Sequence, residues 1–143
     1  MIVIAVDSRY TNIHTRSMEV VCQHFVIPIE PVPCSRPRVT RNGTYNPPAM
    51  TAAKQTIQFL VTSKPHSVHS GAVKLTLKFF VKKPKRTKNI YPSVKPDIDN
   101  YAKLVMDALN GYLWKDDGQV NQLSVYKLYS DNPSIHIWSE DVI

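Results

Sequence analysis

The residues best suited to chemistry gather in one tract, Lys95–Val120, which reads KPDIDNYAKLVMDALNGYLWKDDGQV. It holds five acids: Asp97, Asp99, Asp107, Asp116 and Asp117. Asp97 and Asp99 flank Ile98, and in an extended segment residues two apart point to the same side, so both carboxylates can face one ion. Pro96 disfavours helix at Lys95 and keeps that entry extended. Lys103 follows Asp99 by one helical turn. Asp116 and Asp117 stand in a turn after the helix, where a chain reversal returns a third carboxylate toward the first two. Several carboxylates with open water positions make the hard, oxygen-rich site that Mg²⁺ prefers. Such an ion activates water and neutralises charge on an attacked phosphodiester. Lys103 would then hold the phosphate or stabilise the charge developing on it, and Asn100 would orient a bound water or a neighbouring carboxylate.

Each feature also has a plain structural reading. Asp99 as a helix N-cap contributes about 1 kcal/mol. Asp99 with Lys103 as an i,i+4 surface pair contributes a few tenths of a kcal/mol. Asp116-Asp117-Gly118 serves as a turn, and D-x-D alone also suits metal–nucleotide binding in a glycosyltransferase. Charge distribution weighs against taking all of these together. The chain carries a net charge of +7 with a pI of about 9.5. Residues 1–95 hold 15 Lys/Arg against 3 Asp/Glu, whereas residues 96–143 hold 3 against 8. A basic body joined to a concentrated acidic segment suggests a polyanion-binding surface around a carboxylate cluster.

The cations fall into two sets. Lys82, Lys83, Lys85, Arg86 and Lys88 form a run shortly before Asp97, readable as a phosphate-binding loop or as a solvated basic loop. Arg36, Arg38 and Arg41 lie in a proline-rich stretch, and arginine grips phosphate bidentately. Tyr45 either stacks on a base or packs, and Trp114 reads as core. The five histidines are scattered without metal spacing. Cys22 and Cys34 read as reduced thiols, which suits a cytoplasmic protein. The longest apolar runs, such as Ile2–Val6 and Phe79–Val81, are too short to cross a bilayer.

The elements that must position these groups suggest one α+β domain, a mixed β-sheet with packed helices in the order β-α-β-α-β-β. The first dozen residues read as a short strand ending at Asp7 or as an appended arm, and His24–Glu30 as a strand. A loop from Pro31 to Pro48 leads to a helix over Thr51–Thr62, with Ala53, Ile57, Leu60 and Val61 on one stripe. Val73–Val81 alternates apolar and polar residues as a half-buried strand does. Asp99–Leu109 is helical, with Ile98, Ala102, Val105 and Leu109 aligned for burial and Asn110-Gly111 as its stop. Val120–Tyr129 is a strand, and Asp131-Asn132-Pro133 turns the chain into a last strand, Ile135–Trp138.

The run Asp97-Ile98-Asp99-Asn100, then Lys103, then Asp116-Asp117-Gly118-Gln119-Val120 resembles the signature of the RusA family of Holliday junction resolvases. Pro31-Val32-Pro33 with Arg36-Pro37-Arg38 also resembles that family, while Cys34 stands where many members carry a basic or small residue. The similarity spans roughly His24 to Trp138. Residues 1–17 do not match and read as an N-terminal extension or arm to an endonuclease domain of residues 18–143. The resemblance implies that Asp97, Asp99 and Asp117 are metal-binding catalytic carboxylates, with Lys103 the catalytic lysine and Asp116 a neighbour supporting the metal. It implies a Mg²⁺-dependent endodeoxyribonuclease, with Mn²⁺ as a possible substitute, acting as a homodimer. Its substrate would be four-way junction DNA, resolved by paired symmetric nicks in recombination, repair or phage DNA processing. Two other readings stand beside it: a less selective Mg²⁺ nuclease acting on flaps and other branched forms, and a non-catalytic DNA-binding module. Asp7, after an apolar run, is a minor candidate for the first carboxylate of a ribonuclease-H-like site.

Overall fold

The computed structural model describes residues 2–6 and 19–143, with the backbone alone for 2–6 and Glu19. Among the described residues seven strands and two helices follow one another: β1 (Ile2–Val6), β2 (Glu19–Ile27), β3 (Arg38–Thr40), β4 (Gly43–Tyr45), α1 (Pro48–Thr62), β5 (Val73–Lys82), α2 (Ile98–Leu109), β6 (Val120–Ser130) and β7 (Ser134–Asp141). A single 3-10 turn, Asp117–Gln119, precedes β6. Five strands form one mixed sheet in the order β1-β2-β7-β5-β6, and β3 pairs with β4 as a separate small ribbon. The α+β expectation holds.

Alternation along β5 decides which sheet face is buried. Val73, Leu75, Leu77, Phe79 and Val81 are buried, while the residues between them are partly or fully exposed. They meet Phe25 and Ile27 of β2 and Ile135 and Ile137 of β7 under the two helices. The helices close this face with apolar stripes at helical spacing. α1 contributes Met50, Ala53, Ile57 and Val61, and α2 contributes Leu104, Val105, Ala108 and Leu109 among others. Gly111 ends α2 with φ +84°, a left-handed conformation that a side chain would oppose.

Several expectations change in detail. β2 begins at Glu19 rather than His24, because it pairs with β1 in parallel, Ile2 opposite Glu19 through Val6 opposite Gln23. The stretch from Pro31 to Pro48 is not loop throughout: Arg38–Thr40 folds back on Gly43–Tyr45, turning at Gly43 with φ +122°. The Asp131-Asn132-Pro133 turn joins strands that are not neighbours, since β5 lies between β6 and β7, parallel to one and antiparallel to the other. Local turn chemistry signals a reversal of direction but not which strand occupies the gap. Asp7 lies outside the described residues.

Folding also gathers histidines that are scattered in sequence. His69 is buried, with Nδ1 2.6 Å from Asp141 Oδ1 and Nε2 2.9 Å from Ser139 Oγ. On the sheet face away from the helices, His24 Nε2 lies 3.2 Å from His136 Nδ1, and the His24 ring stacks on Trp138 with centroids 4.4 Å apart. Burial is the main cause holding His136 below its usual pKa, with the charges of His24 and Lys78 adding to it.

Candidate active site

Asp97 is the N-cap of α2, with extended backbone (φ −69°, ψ 144°) and no side-chain bond to the helix. Its carboxylate is therefore not committed to capping. The helix begins at Ile98, one residue earlier than the sequence suggests. Asp99 consequently sits in the first helical turn and not in an extended lead-in, and the plain N-cap reading does not apply to it. A carboxylate in the first turn is favoured by the helix dipole. Asp97 and Asp99 nevertheless border one cavity of about 710 Å³, formed between residues 91–98 and β6. Asp99 also borders a second cavity, of about 390 Å³, together with Asp117 and Lys103. Asp99 is thus the carboxylate common to both.

Asp117 is held from behind. The buried indole of Trp114 donates from Nε1 to Asp117 Oδ1 at 2.7 Å. The turn carrying Asp117 is fastened by its neighbours: Asp116 Oδ2 accepts from the Gly118 N–H at 3.0 Å, and Gln119 Oε1 accepts from the Asp116 N–H at 3.0 Å. A Cβ on Gly118 would meet Asp116 Oδ2 at 2.8 Å, so a side chain there would push the Asp116 carboxylate out of its place in the cap. Gln119 Nε2 then donates to the carbonyls of His69 and Gly71, each at 2.9 Å, tying the turn to the segment that leads into β5. Asp116 is occupied in shaping the turn that presents Asp117.

Lys103 does not pair with Asp99. Its ammonium donates to Asp107 Oδ2 at 3.1 Å, one turn further along α2. Asp107, and to a smaller extent Cys34 and Asp117, raise the Lys103 pKa, so the side chain stays cationic at neutral pH while remaining largely exposed. Beyond α2, a third cavity of about 360 Å³ is bordered by Arg36, Lys54, Asn100, Lys103 and Asp107. Arg36 and Asn100 therefore line the cavity beyond α2 and not the two bordered by Asp97, Asp99 and Asp117, so Asn100 is not brought to those carboxylates, and Arg38 and Arg41 lie exposed on the β3–β4 ribbon.

Lys82, Lys83, Lys85, Arg86 and Lys88 are all exposed. The Lys83 N–H donates to Ser130 O at 3.1 Å, fixing the start of this run at the far end of β6. Lys127, three residues nearer the β6 start, donates from Nζ to Pro96 O, so the segment entering Asp97 is held beside the same strand. Tyr45 is exposed on the ribbon, and Trp114 is fully buried.

Two positioning groups carry sequence signals that are easily passed over. A buried indole N–H needs an acceptor, and Asp117 lies three residues after Trp114. Lys127 continues the helix-facing alternation Leu123, Val125, where a cation is costly without partners. It finds them in the carbonyls of Val94 at 2.7 Å and Pro96 at 2.9 Å, so it grips the segment entering Asp97 across a cis Lys95–Pro96 peptide.

Among the described residues no three His, Cys, Asp or Glu side chains are gathered tightly enough to form a ready-made metal cage. The donor set is nonetheless the right chemistry for a hard cation that keeps much of its water: carboxylate oxygens only, on the rims of adjoining cavities that share Asp99.

Asp97, Asp99, Asp117 and the cation Lys103 thus border open cavities on a basic mixed-sheet domain. Residues 28–138 match the family model described as Endodeoxyribonuclease RusA, so the chain belongs to the RusA endodeoxyribonuclease family. The chain is also 33% identical over 138 residues to "Uncharacterized protein YqaN" of Bacillus subtilis (strain 168), covering 85% of this chain and 97% of that protein. Among the described residues no helix is long and apolar enough to cross a membrane.

Proposed function

We propose that the protein is a Mg²⁺-dependent resolvase of four-way DNA junctions, acting as a homodimer that places two symmetric nicks. The observation that carries this reading is the position of Asp99, which shares one cavity with Asp97 and another with Asp117 and Lys103, in a chain of an endodeoxyribonuclease family. Asp97, Asp99 and Asp117 would hold the cation, which when bound supplies water activation and charge neutralisation at the phosphodiester. Lys103, cationic and exposed, would contact a phosphate oxygen and stabilise the charge that builds there. Trp114 and the Asp116–Gln119 cap hold the Asp117 carboxylate in place, and Lys127 holds the backbone leading into Asp97. One carboxylate cluster per chain serves one strand, so two copies about a two-fold axis match a junction cut on two strands. Incubating the protein with a synthetic four-way junction, a flap and a plain duplex over a Mg²⁺ series tests the proposal. Paired nicks at symmetric positions on the junction are expected. Preferred flap cutting would favour the less selective nuclease, and binding without cutting would leave a DNA-binding module.

Two further outcomes follow from the positions of the cations. Neutralising Lys82, Lys83, Lys85, Arg86 and Lys88 together should weaken binding to every DNA form and lower the log–log salt slope by roughly 0.9 for each duplex phosphate that no longer meets a cation. An unchanged slope would show that this run is only solvated. Lys127→Met should raise the Mg²⁺ concentration needed for half-maximal cleavage on the order of tenfold, as removal of a supporting group behind a ligand commonly does. Metal-free DNA affinity should stay unchanged and Lys127→Arg should recover part of the loss. Equal Mg²⁺ dependence in wild type and Lys127→Met would remove Lys127 from the machinery.

A further inference from the structure

The cavity bounded by Asp99, Lys103 and Asp117 has walls that metal binding and phosphate contact do not explain. Ile98, Ala102 and Met106 lie at i, i+4 and i+8 along α2, and Leu123 and Val125 face them from β6. Ile98 is 39% and Leu123 46% exposed, so apolar surface is left facing the solvent beside a charged site. At about 390 Å³ the cavity is within the size range of small-ligand pockets. The cavity across α2 is different in kind, bordered by the cations Arg36 and Lys54. Lys103 and Asp107 border both.

A nucleotide strand offers alternating chemistry that fits this pair of cavities: charged phosphate and an apolar base face. A phosphodiester held at Lys103, beside Asp99 and Asp117, leaves its adjoining nucleoside near the aliphatic cavity, because the same three residues line that cavity. The basic cavity beyond α2 suits the next phosphate along the strand. We propose that the groove between α2 and β6 receives the unstacked nucleobase next to the scissile phosphate, held between Met106 and Leu123. This rests on the nuclease reading above and adds a subsite to it. Bases at a branch point already lack part of their stacking, so extruding one there costs less than in continuous duplex. Branched DNA would thereby be favoured over duplex by a contact that duplex can make only after unstacking.

The test uses four-way junctions carrying 2-aminopurine at each position around the crossover in turn, bound to the full protein without Mg²⁺. Aliphatic walls quench this base far less than neighbouring bases do. One bright position on each of two opposing strands is therefore expected, adjoining the cut mapped separately in Mg²⁺. Leu123→Ala and Met106→Ala should abolish the brightening and lower junction cleavage on the order of tenfold, with duplex affinity unchanged. An abasic site at the bright position should slow wild type by a similar factor and leave the variants unaffected. Brightening that is absent, or equal in wild type and both variants, would overturn the subsite. So would a fall in molecular mass in light scattering on Leu123→Ala with the fluorescence retained, which would assign the groove to a subunit contact. Absence of cleavage by wild type in Mg²⁺ would instead strike the nuclease reading, whatever the fluorescence shows.

Discussion

Asp97→Asn, Asp99→Asn and Asp117→Asn should each lower junction cleavage on the order of a thousandfold while leaving metal-free junction binding intact or improved. Amide for carboxylate is nearly isosteric, so packing is retained and only charge and oxygen donors are removed. Asp97 makes no capping bond and Asp99 is exposed in the first turn, so the helix loses at most the dipole interaction of the Asp99 charge, about 0.3–1 kcal/mol. Loss of a negative charge beside phosphate should, if anything, strengthen binding. Mg²⁺ that binds the native state also stabilises it, so the wild-type melting temperature should rise with Mg²⁺ and the Asp117→Asn value should rise much less. Gel shifts in EDTA, cleavage rates in Mg²⁺ and melting scans separate the outcomes. Binding that falls in step with cleavage, or equal Mg²⁺ shifts in wild type and Asp117→Asn, would remove these carboxylates from the metal site.

Trp114→Ala should be the most destabilising single change near the site, and Trp114→Phe should separate its two roles. Trp114 is fully buried against the core and donates to Asp117. Truncation to alanine leaves a cavity costing about 3–5 kcal/mol, a large part of the roughly 5–15 kcal/mol that holds a domain folded. Phenylalanine keeps most of the apolar volume but removes the indole N–H, and with it a bond to a charged acceptor worth about 1.5–3 kcal/mol. Trp114→Phe should therefore stay folded at room temperature in urea titrations yet need more Mg²⁺ for cleavage, since Asp117 loses the group that aims it. Activity and Mg²⁺ dependence unchanged in Trp114→Phe would mean that the indole only fills space.

The parts of this molecule that were legible from sequence are those governed by short-range periodicity. β5 alternates over its whole length, α2 carries its apolar stripe at Ala102, Val105 and Leu109 though Ile98 is exposed, it stops at Asn110-Gly111, and both helices and the last strands fall close to where pattern places them. Less legible were features set by long-range pairing. β5 inserts between β6 and β7, β2 extends back to Glu19 alongside β1, and His24 meets His136 across strands 112 residues apart. For the candidate site, spacing brought out Asp97, Asp99, Lys103 and the Asp116-Asp117 pair, and the family resemblance singled out Asp117. It did not reveal that Lys103 leans on Asp107, that Asp116 is engaged in a cap, or that Lys54 joins Arg36 beside α2. Those depend on which side chains meet in space, and the i,i+4 rule allows Lys103 either Asp99 or Asp107.

A supercoiled plasmid that extrudes a four-way junction joins the carboxylate assignment and the two-copy arrangement in a single readout. With Mg²⁺, wild-type protein should linearise it, the Asp97→Asn protein should leave it supercoiled, and mixed dimers of the two should mostly nick it. Supercoiled plasmid remaining with well-folded wild-type protein, or full linearisation by the mixed dimers, would contradict a paired-carboxylate junction resolvase.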